Sequence, residues 1–138
     1  MKIILNKCFG GFGLSKKAYE LYANKIGKKI YAYKNEDFKD NIYKKINDDK
    51  LFVTYFTKDF GDIAEISDDD YEKYSLYLRE DYRLDKKLIE VVEELGKEAS
   101  SMCGNLKIVE IPDNCFYKID EYDGLETIYY SESEIKIK

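Results

Sequence analysis

The sequence contains no histidine and no tryptophan, and only one proline and two arginines among its 138 residues. The absence of histidine excludes Ser-His and Cys-His nucleophile pairs and the common zinc sites that use imidazole. Acid–base chemistry would therefore fall to carboxylates, lysine, tyrosine or cysteine. Because Cys8, Cys103 and Cys115 form no CxxC motif, the sequence indicates neither a disulfide framework nor a metal site. We expect no cofactor.

The charge balance is mildly acidic, with 28 acidic against 23 basic residues and a formal net charge of -5. Nonspecific affinity for nucleic acid comes from Lys and Arg that neutralise phosphates, so this balance argues against a DNA or RNA partner. The acidity is also slight for a protein that imitates DNA. No apolar run reaches the length of a membrane span or a signal peptide. We therefore expect a cytoplasmic protein without a membrane partner.

The length suits one domain that spans residues 1–138. Apolar, β-branched runs separated by turn residues predict about six strands, and helical spacing predicts two principal helices, the clearer one from Lys86 to about Ala99. Asp123-Gly124 predicts the turn of a C-terminal β-hairpin. The charged segment 34–50 is predicted as a surface excursion with one helical turn. The sequence thus predicts a single small α+β domain, or an α/β domain, with a mixed sheet.

The first candidate site is the glycine-rich loop from Cys8 to Ser15, between a strand and a helix. Bare N–H groups at Gly10 and Gly11, together with the partial positive charge of the helix start, suit a phosphate or carboxylate. The loop lacks the Walker ending and the GxGxxG spacing, so a tight structural turn is an equally good interpretation. Cys8 is either a reactive thiol near the helix start or buried apolar filler.

The second candidate is the arginine pair, Arg79 and Arg83. The guanidinium group offers a planar fork suited to bidentate contact with phosphate or carboxylate, which Lys cannot reproduce. In a chain with 21 Lys, two neighbouring Arg suggest a specific purpose. The alternative is structural, since either Arg can pair with Glu80, Asp81 or Asp85 and anchor the loop.

The third candidate is the acidic hairpin. Two carboxylates can act as acid and base or accept hydrogen bonds from ribose hydroxyls. The neighbouring tyrosines suit stacking on a base, although aromatic residues on strands are more often core or cross-strand pairs. The carboxylates are Asp120, Glu121, Asp123 and Glu126, and the tyrosines are Tyr117, Tyr122, Tyr129 and Tyr130.

Three stretches also have a familiar combination: NKCFGGFGLS from Asn6, the run from Arg79 to Gly96 with VVEELG, and LKIVEIPD from Leu106 followed by EYDG at Glu121. Together they resemble a family of small proteins common in tailed bacteriophages and prophages. The resemblance covers both ends and most of the chain, whereas the middle, about residues 34–75, diverges. It implies a phage or prophage source and a bacterial host cell as the setting, and it implies no mechanism.

The family pattern and the chemistry above together indicate one set of ligand-binding residues. They are Asn6, Cys8, Gly10, Gly11, Ser15, Arg79, Arg83, Glu94, Glu121, Asp123 and Glu126. Relatives often have Pro where this chain has Lys86, an exchange that the first helical position tolerates.

These parts predict a non-enzymatic, phage-encoded binding protein that sequesters a nucleotide-derived or phosphorylated signalling molecule of bacterial defence. N–H groups and Arg suit phosphates, carboxylates suit ribose hydroxyls and Tyr rings suit a base; a homo-oligomer is expected. One alternative is an enzyme that cleaves such a molecule with Glu94 or Glu126 as the catalytic carboxylate. Another is an inhibitor that blocks a host defence enzyme by protein–protein contact.

Overall fold

The computed structural model describes residues 1–35, 41–47, 53–101 and 104–132. In chain order its elements are β1 (Lys2–Asn6), α1 (Lys16–Lys25), β2 (Tyr31–Lys34), β3 (Ile42–Lys45), β4 (Val53–Phe56), β5 (Ile63–Glu65), α2 (Asp68–Tyr74), β6 (Ser75–Leu76), α3 (Lys86–Leu95), β7 (Leu106–Glu110), β8 (Phe116–Tyr122) and β9 (Leu125–Ser131), with 3-10 turns at Glu80–Tyr82 and Gly96–Ala99. The predicted α+β class is confirmed. The chain folds into two compact units, each with its own sheets.

The first unit contains residues 1–22 and the described residues from Leu78 onward. In it β1 pairs antiparallel with β7, and β8 pairs antiparallel with β9 in a separate hairpin. Ile3 and Leu5 on β1 are fully buried and form a cluster with Ile111. Ile119 and Ile128 of the hairpin pack against this cluster, so one face of the hairpin is held by the core and the other points outward.

Helix α3 contributes a continuous apolar face to the same unit. Its buried residues are Leu88, Ile89, Val91 and Val92. Asp85 caps the helix, since its Oδ1 accepts the Leu88 N–H at 3.1 Å. The α-helix ends at Leu95, earlier than the predicted Ala99, because Gly96 takes a positive φ of 57° and a 3-10 turn follows.

The second unit, residues 23–77, is built on a five-stranded antiparallel sheet in the order β5-β3-β2-β4-β6. Its core is aromatic. Tyr33 and Tyr43 pack edge to face against Phe56, with ring centroids 5.5 and 5.6 Å apart. Such edge-to-face pairs add to the free energy gained by burying the rings.

The sheets differ in detail from those that the sequence predicts. The described residues hold nine strands rather than about six, in three antiparallel sheets. The additional strands β3, β5 and β6 have two to four residues, too few to show a clear alternation. Within the predicted excursion 34–50, the described residues form strand β3 instead of a helical turn, because Tyr43 packs into the aromatic core. Residues 36–40 and 48–50 lie outside the described residues.

None of the helices in the described ranges has the length and apolar character that crossing a membrane requires.

Candidate functional site

Glu126, a predicted ligand-binding residue, lies buried on β9 with 4% of its surface exposed. Its Oε1 accepts the backbone N–H of Asn6 at 2.8 Å and Arg83 Nη1 at 3.2 Å. Its Oε2 accepts Arg83 Nη2 at 2.7 Å. Arg83 therefore holds the carboxylate in a bidentate pair, the strong geometry for a guanidinium. We call Asn6, Arg83 and Glu126 the buried polar cluster.

Every nitrogen of the Arg83 guanidinium donates a hydrogen bond. Besides the two bonds to Glu126, Nη1 donates to the carbonyl of Ile4 at 3.2 Å and Nε donates to the carbonyl of Glu80 at 3.2 Å. The group also lies 5.6 Å from the centre of the Phe12 ring, a cation–π distance. A phosphate would have to displace these partners. Of the two interpretations drawn from the sequence, the geometry favours the structural one for Arg83.

Asn6 ties the first loop to the hairpin. Its Nδ2 donates to the carbonyls of Cys8 and Gly124, both at 2.7 Å, and its Oδ1 accepts the Asn105 N–H at 2.9 Å. Each polar group of the amide thus has a partner, as a buried Asn requires. The side chain fixes the shape of the loop and the position of the hairpin turn.

The glycine loop packs directly on the hairpin turn. Gly10 and Gly11 have φ angles of 117° and 101°, and the Gly10 N–H donates to the carbonyl of Asp123 at 3.0 Å. A Cβ placed on Gly124 would overlap the backbone nitrogen of Gly11, so only glycine fits there. Glu121 closes the turn by accepting the Gly124 N–H. The Gly10 N–H is thus bonded to the hairpin, and the Gly11 nitrogen lies against Gly124, which favours a tight structural turn over an anion site.

Three predicted residues lie elsewhere in the unit. Ser15 caps helix α1, since its Oγ accepts the Ala18 N–H at 3.2 Å. Arg79 is about half exposed and pairs with Asp81 at 3.5 Å. Glu94 lies on the exposed side of α3.

The structure thus brings together eight of the eleven predicted residues through the buried polar cluster and the glycine loop. Cys8 is exposed and carries a free thiol, and Cys103 lies outside the described residues. Within the described ranges, no group of three His, Cys, Asp or Glu side chains is arranged to hold a metal ion.

A cleft of about 730 Å³ opens at the start of α3, away from the predicted residues. It is lined by Met1, Lys2, Leu84, Lys86, Ile89, Glu90, Glu93, Asp113 and Asn114. Leu84, 45% exposed, and Ile89 supply apolar surface. This volume lies within the range of small-molecule pockets, and apolar walls with a few charged groups are typical of them. We call this cavity the α3 cleft.

Four of the charged groups of the α3 cleft form two ion pairs. The amino group of Met1 contacts Asp113 Oδ1 at 2.7 Å, and Lys2 Nζ contacts Glu93 Oε2 at 2.9 Å. The hydrogen bond from the Met1 ammonium holds the pKa of Asp113 below its ordinary value. The hydrogen bond to Glu93 raises the pKa of Lys2. Lys86 makes no ion pair with a described carboxylate.

The sequence did not predict the α3 cleft, because Met1, Lys2 and Asp113 are far from Lys86 in the chain and no local pattern brings them together. Leu84 lies on the apolar stripe of α3 by its spacing but is 45% exposed in the structure.

The chain matches no protein-family model, no curated protein and no solved structure. The resemblance to phage and prophage proteins stays a prediction.

Proposed function

We propose that the protein is a non-enzymatic binding protein for a phosphorylated, nucleotide-derived small molecule, and that the ligand lies in the α3 cleft. The observation that carries the proposal is the cleft itself, which joins apolar walls to three amino groups and three carboxylates in a cavity of suitable volume. In the setting that the family resemblance implies, such binding removes a signal that a bacterial defence system makes. The role is sequestration, which requires no catalytic group.

The base and the phosphates of a nucleotide have counterparts in the α3 cleft. A base fits against Leu84 and Ile89, where apolar contact excludes water. Phosphates fit the amino groups of Met1, Lys2 and Lys86, with Lys86 as the first contact because it has no ion-pair partner among the described carboxylates. A phosphate that reaches the other two must compete with Asp113 and Glu93, and the third carboxylate of the cleft, Glu90, opposes it by like charge.

The geometry gives less support to Glu126 as the catalytic carboxylate of the enzyme that the sequence left open; it does not bear on Glu94, which is exposed on α3. Both oxygens of Glu126 already accept hydrogen bonds, so neither points at a substrate. A catalytic carboxylate needs an oxygen within hydrogen-bond reach of the reacting group.

Calorimetric titration with cyclic nucleotides and ADP-ribose tests the proposal. We expect the double variant Lys2→Ala with Lys86→Ala to bind at least about tenfold more weakly, since it loses two charge-assisted contacts. The matched control is Lys87→Ala with Lys107→Ala, which removes two exposed lysines that do not line the cleft. Equal weakening in both double variants, or no binding to the wild type, contradicts the proposal. The ligand released by denaturation must be intact; recovered products would indicate an enzyme.

A second candidate function is contact with a host protein through the outer face of the hairpin. Phe116, Tyr122 and Tyr129 share this face by strand alternation and are at least half exposed, at 52%, 76% and 51%. Exposed aromatic residues of this kind are enriched at protein interfaces.

A pull-down from host lysate separates the two functions. If the hairpin face binds a protein, Tyr122→Ser with Tyr129→Ser releases that partner and leaves nucleotide binding unchanged. Lys2→Ala with Lys86→Ala has the opposite effect. A partner retained by both double variants rules out this face.

A further inference from the structure

Strand β8 has a free edge in the part of the chain that the structure describes, where it pairs only with β9. Both residues of the turn, Asp123 and Gly124, have positive φ, at 50° and 90°, as in a two-residue type I′ hairpin. The closing pair of such a hairpin, here Tyr122 and Leu125, exchanges backbone hydrogen bonds. The even-numbered residues of β8 therefore direct their N–H and C=O groups toward β9.

A contact on the opposite strand supports this alternation. Glu126 is the first residue of β9 after the closing pair, so its carbonyl should point away from β8. The Glu126 carbonyl accepts a hydrogen bond from Lys7 Nζ at 2.8 Å, so it points toward the residue that follows β1.

By the same alternation, the outer edge of β8 presents the backbone groups of Tyr117, Ile119 and Glu121. No described residue forms a hydrogen bond with these groups. An edge of this kind is a template for another strand.

We propose that β8 pairs antiparallel with β8 of a second copy of the chain, about a twofold axis at Ile119. Ile119 is the middle residue of the seven-residue strand, so every residue of β8 gains a partner. Lys118 then faces Asp120 of the second copy, and Phe116 faces Tyr122 of the second copy. Lys118 Nζ lies 3.6 Å from Asp120 Oδ1 of its own chain, so the pairing brings two such ion pairs together with unlike charges opposite each other. The strand is thus complementary to itself in charge and in aromatic pairing, which are the contacts that stabilise neighbouring strands.

The backbone geometry selects the same register. Pairing about Ile119 places outward-pointing residues opposite one another: Ile119 meets its own copy, and Tyr117 meets Glu121. An axis between two residues would place outward-pointing groups opposite groups already bonded to β9. An axis at Tyr117 or Glu121 would keep the backbone match but leave half of the strand without a partner. The interface shares no residue with the α3 cleft, so it is independent of the proposed ligand.

Sedimentation over a range of concentrations tests the pairing in full-length protein. We expect a reversible dimer or a larger assembly built from dimers. Lys118→Asp places like charges opposite each other twice per dimer and should raise the dissociation constant about tenfold. Lys118→Asp with Asp120→Lys restores opposite charges and should recover the wild-type value. Lys87→Asp, the same change at an exposed lysine away from β8, is the control.

Amide hydrogen exchange locates the interface. In the wild-type assembly, the amides of Tyr117, Ile119 and Glu121 should be protected from exchange as strongly as the amide of Lys118, which is bonded to β9. In the Lys118→Asp variant, the first three amides should lose protection and the amide of residue 118 should keep it. A wild type that is monomeric at every concentration overturns the proposal. So does an assembly that Lys118→Asp weakens no more than Lys87→Asp, or that the double exchange fails to restore.

Discussion

Arg83 holds both carboxylate oxygens of Glu126, at 3.2 and 2.7 Å, although 43 residues separate them in the chain. Their side chains are only 14% and 5% exposed. A buried ion pair is costly to form but far costlier to break on one side, because the remaining charge stays without a partner. Two residues predicted to bind the ligand, of which Glu126 was also a candidate catalytic carboxylate, are therefore each other's partner. The pair connects the turn before α3 to the hairpin.

Arg83→Ala should lower the free energy of unfolding by about 3–5 kcal/mol, since it leaves the Glu126 carboxylate buried and without its cation. Arg79→Ala, the matched control, should cost less than about 1 kcal/mol, since the Arg79–Asp81 pair is exposed. Urea unfolding of both variants measures the difference. Arg83→Met with Glu126→Leu should recover part of the loss. Equal losses in the two single variants would show that the pair is not structural.

Gly124→Ala should destabilise the first unit by more than backbone conformation alone explains. The new Cβ would overlap the backbone nitrogen of Gly11, at a φ of 90°. Gly61→Ala, at a φ of 93° with nothing within 4 Å, carries only the conformational cost of about 1–2 kcal/mol. Thermal unfolding should place Gly124→Ala well below Gly61→Ala; coincident curves would show that the loop and turn are not packed together.

Tyr33→Phe should lower the unfolding free energy by about 1–3 kcal/mol, since it removes the bonds of Tyr33 Oη with the Phe60 N–H and the Gly61 carbonyl, both at 2.9 Å. Tyr43→Phe is the control: Tyr43 packs in the same aromatic core, and no described residue bonds to its hydroxyl. Chemical denaturation compares the two. Burial raises the pKa of Tyr33, so its phenol should also ionise later than exposed tyrosines in an alkaline spectrophotometric titration. A loss in Tyr43→Phe as large as in Tyr33→Phe would contradict this role.

Asp113→Asn should make the free energy of unfolding depend less steeply on pH in the acid range. The Met1 ammonium lowers the pKa of Asp113 in the folded chain, so this contact stabilises the protein above the unfolded-state pKa of about 3.9 and is lost as pH falls through the folded-state pKa. Thermal unfolding midpoints, measured from neutral pH down to about pH 2, should fall more steeply for the wild type than for Asp113→Asn. Because the pair is exposed, high salt should reduce the difference. Parallel curves at low salt would show that the contact does not form in solution.

Short-range patterns were enough for the elements that proved most regular. The Asp85 cap and the apolar stripe predict α3, and Asp123-Gly124 predicts the hairpin. Each of these signals lies within a few residues of the element that it predicts. The short strands β3, β5 and β6 were not predicted, because each is held as a strand by pairing with distant neighbours in the sheet and not by a local pattern.

The sequence by itself determined the α+β class and the hairpin, because residue type and local spacing carry that information. Which of the eleven predicted residues meet was left to the tertiary structure. The tertiary structure alone decided what those residues do. Whether an Arg meets a phosphate or a buried carboxylate depends on which side chain stands opposite it, and for Arg83 that side chain comes from the hairpin, 43 residues further along the chain. It also decided that Met1, Lys2 and Lys86 share a cleft, because they become neighbours only when β1 and α3 are packed in one unit.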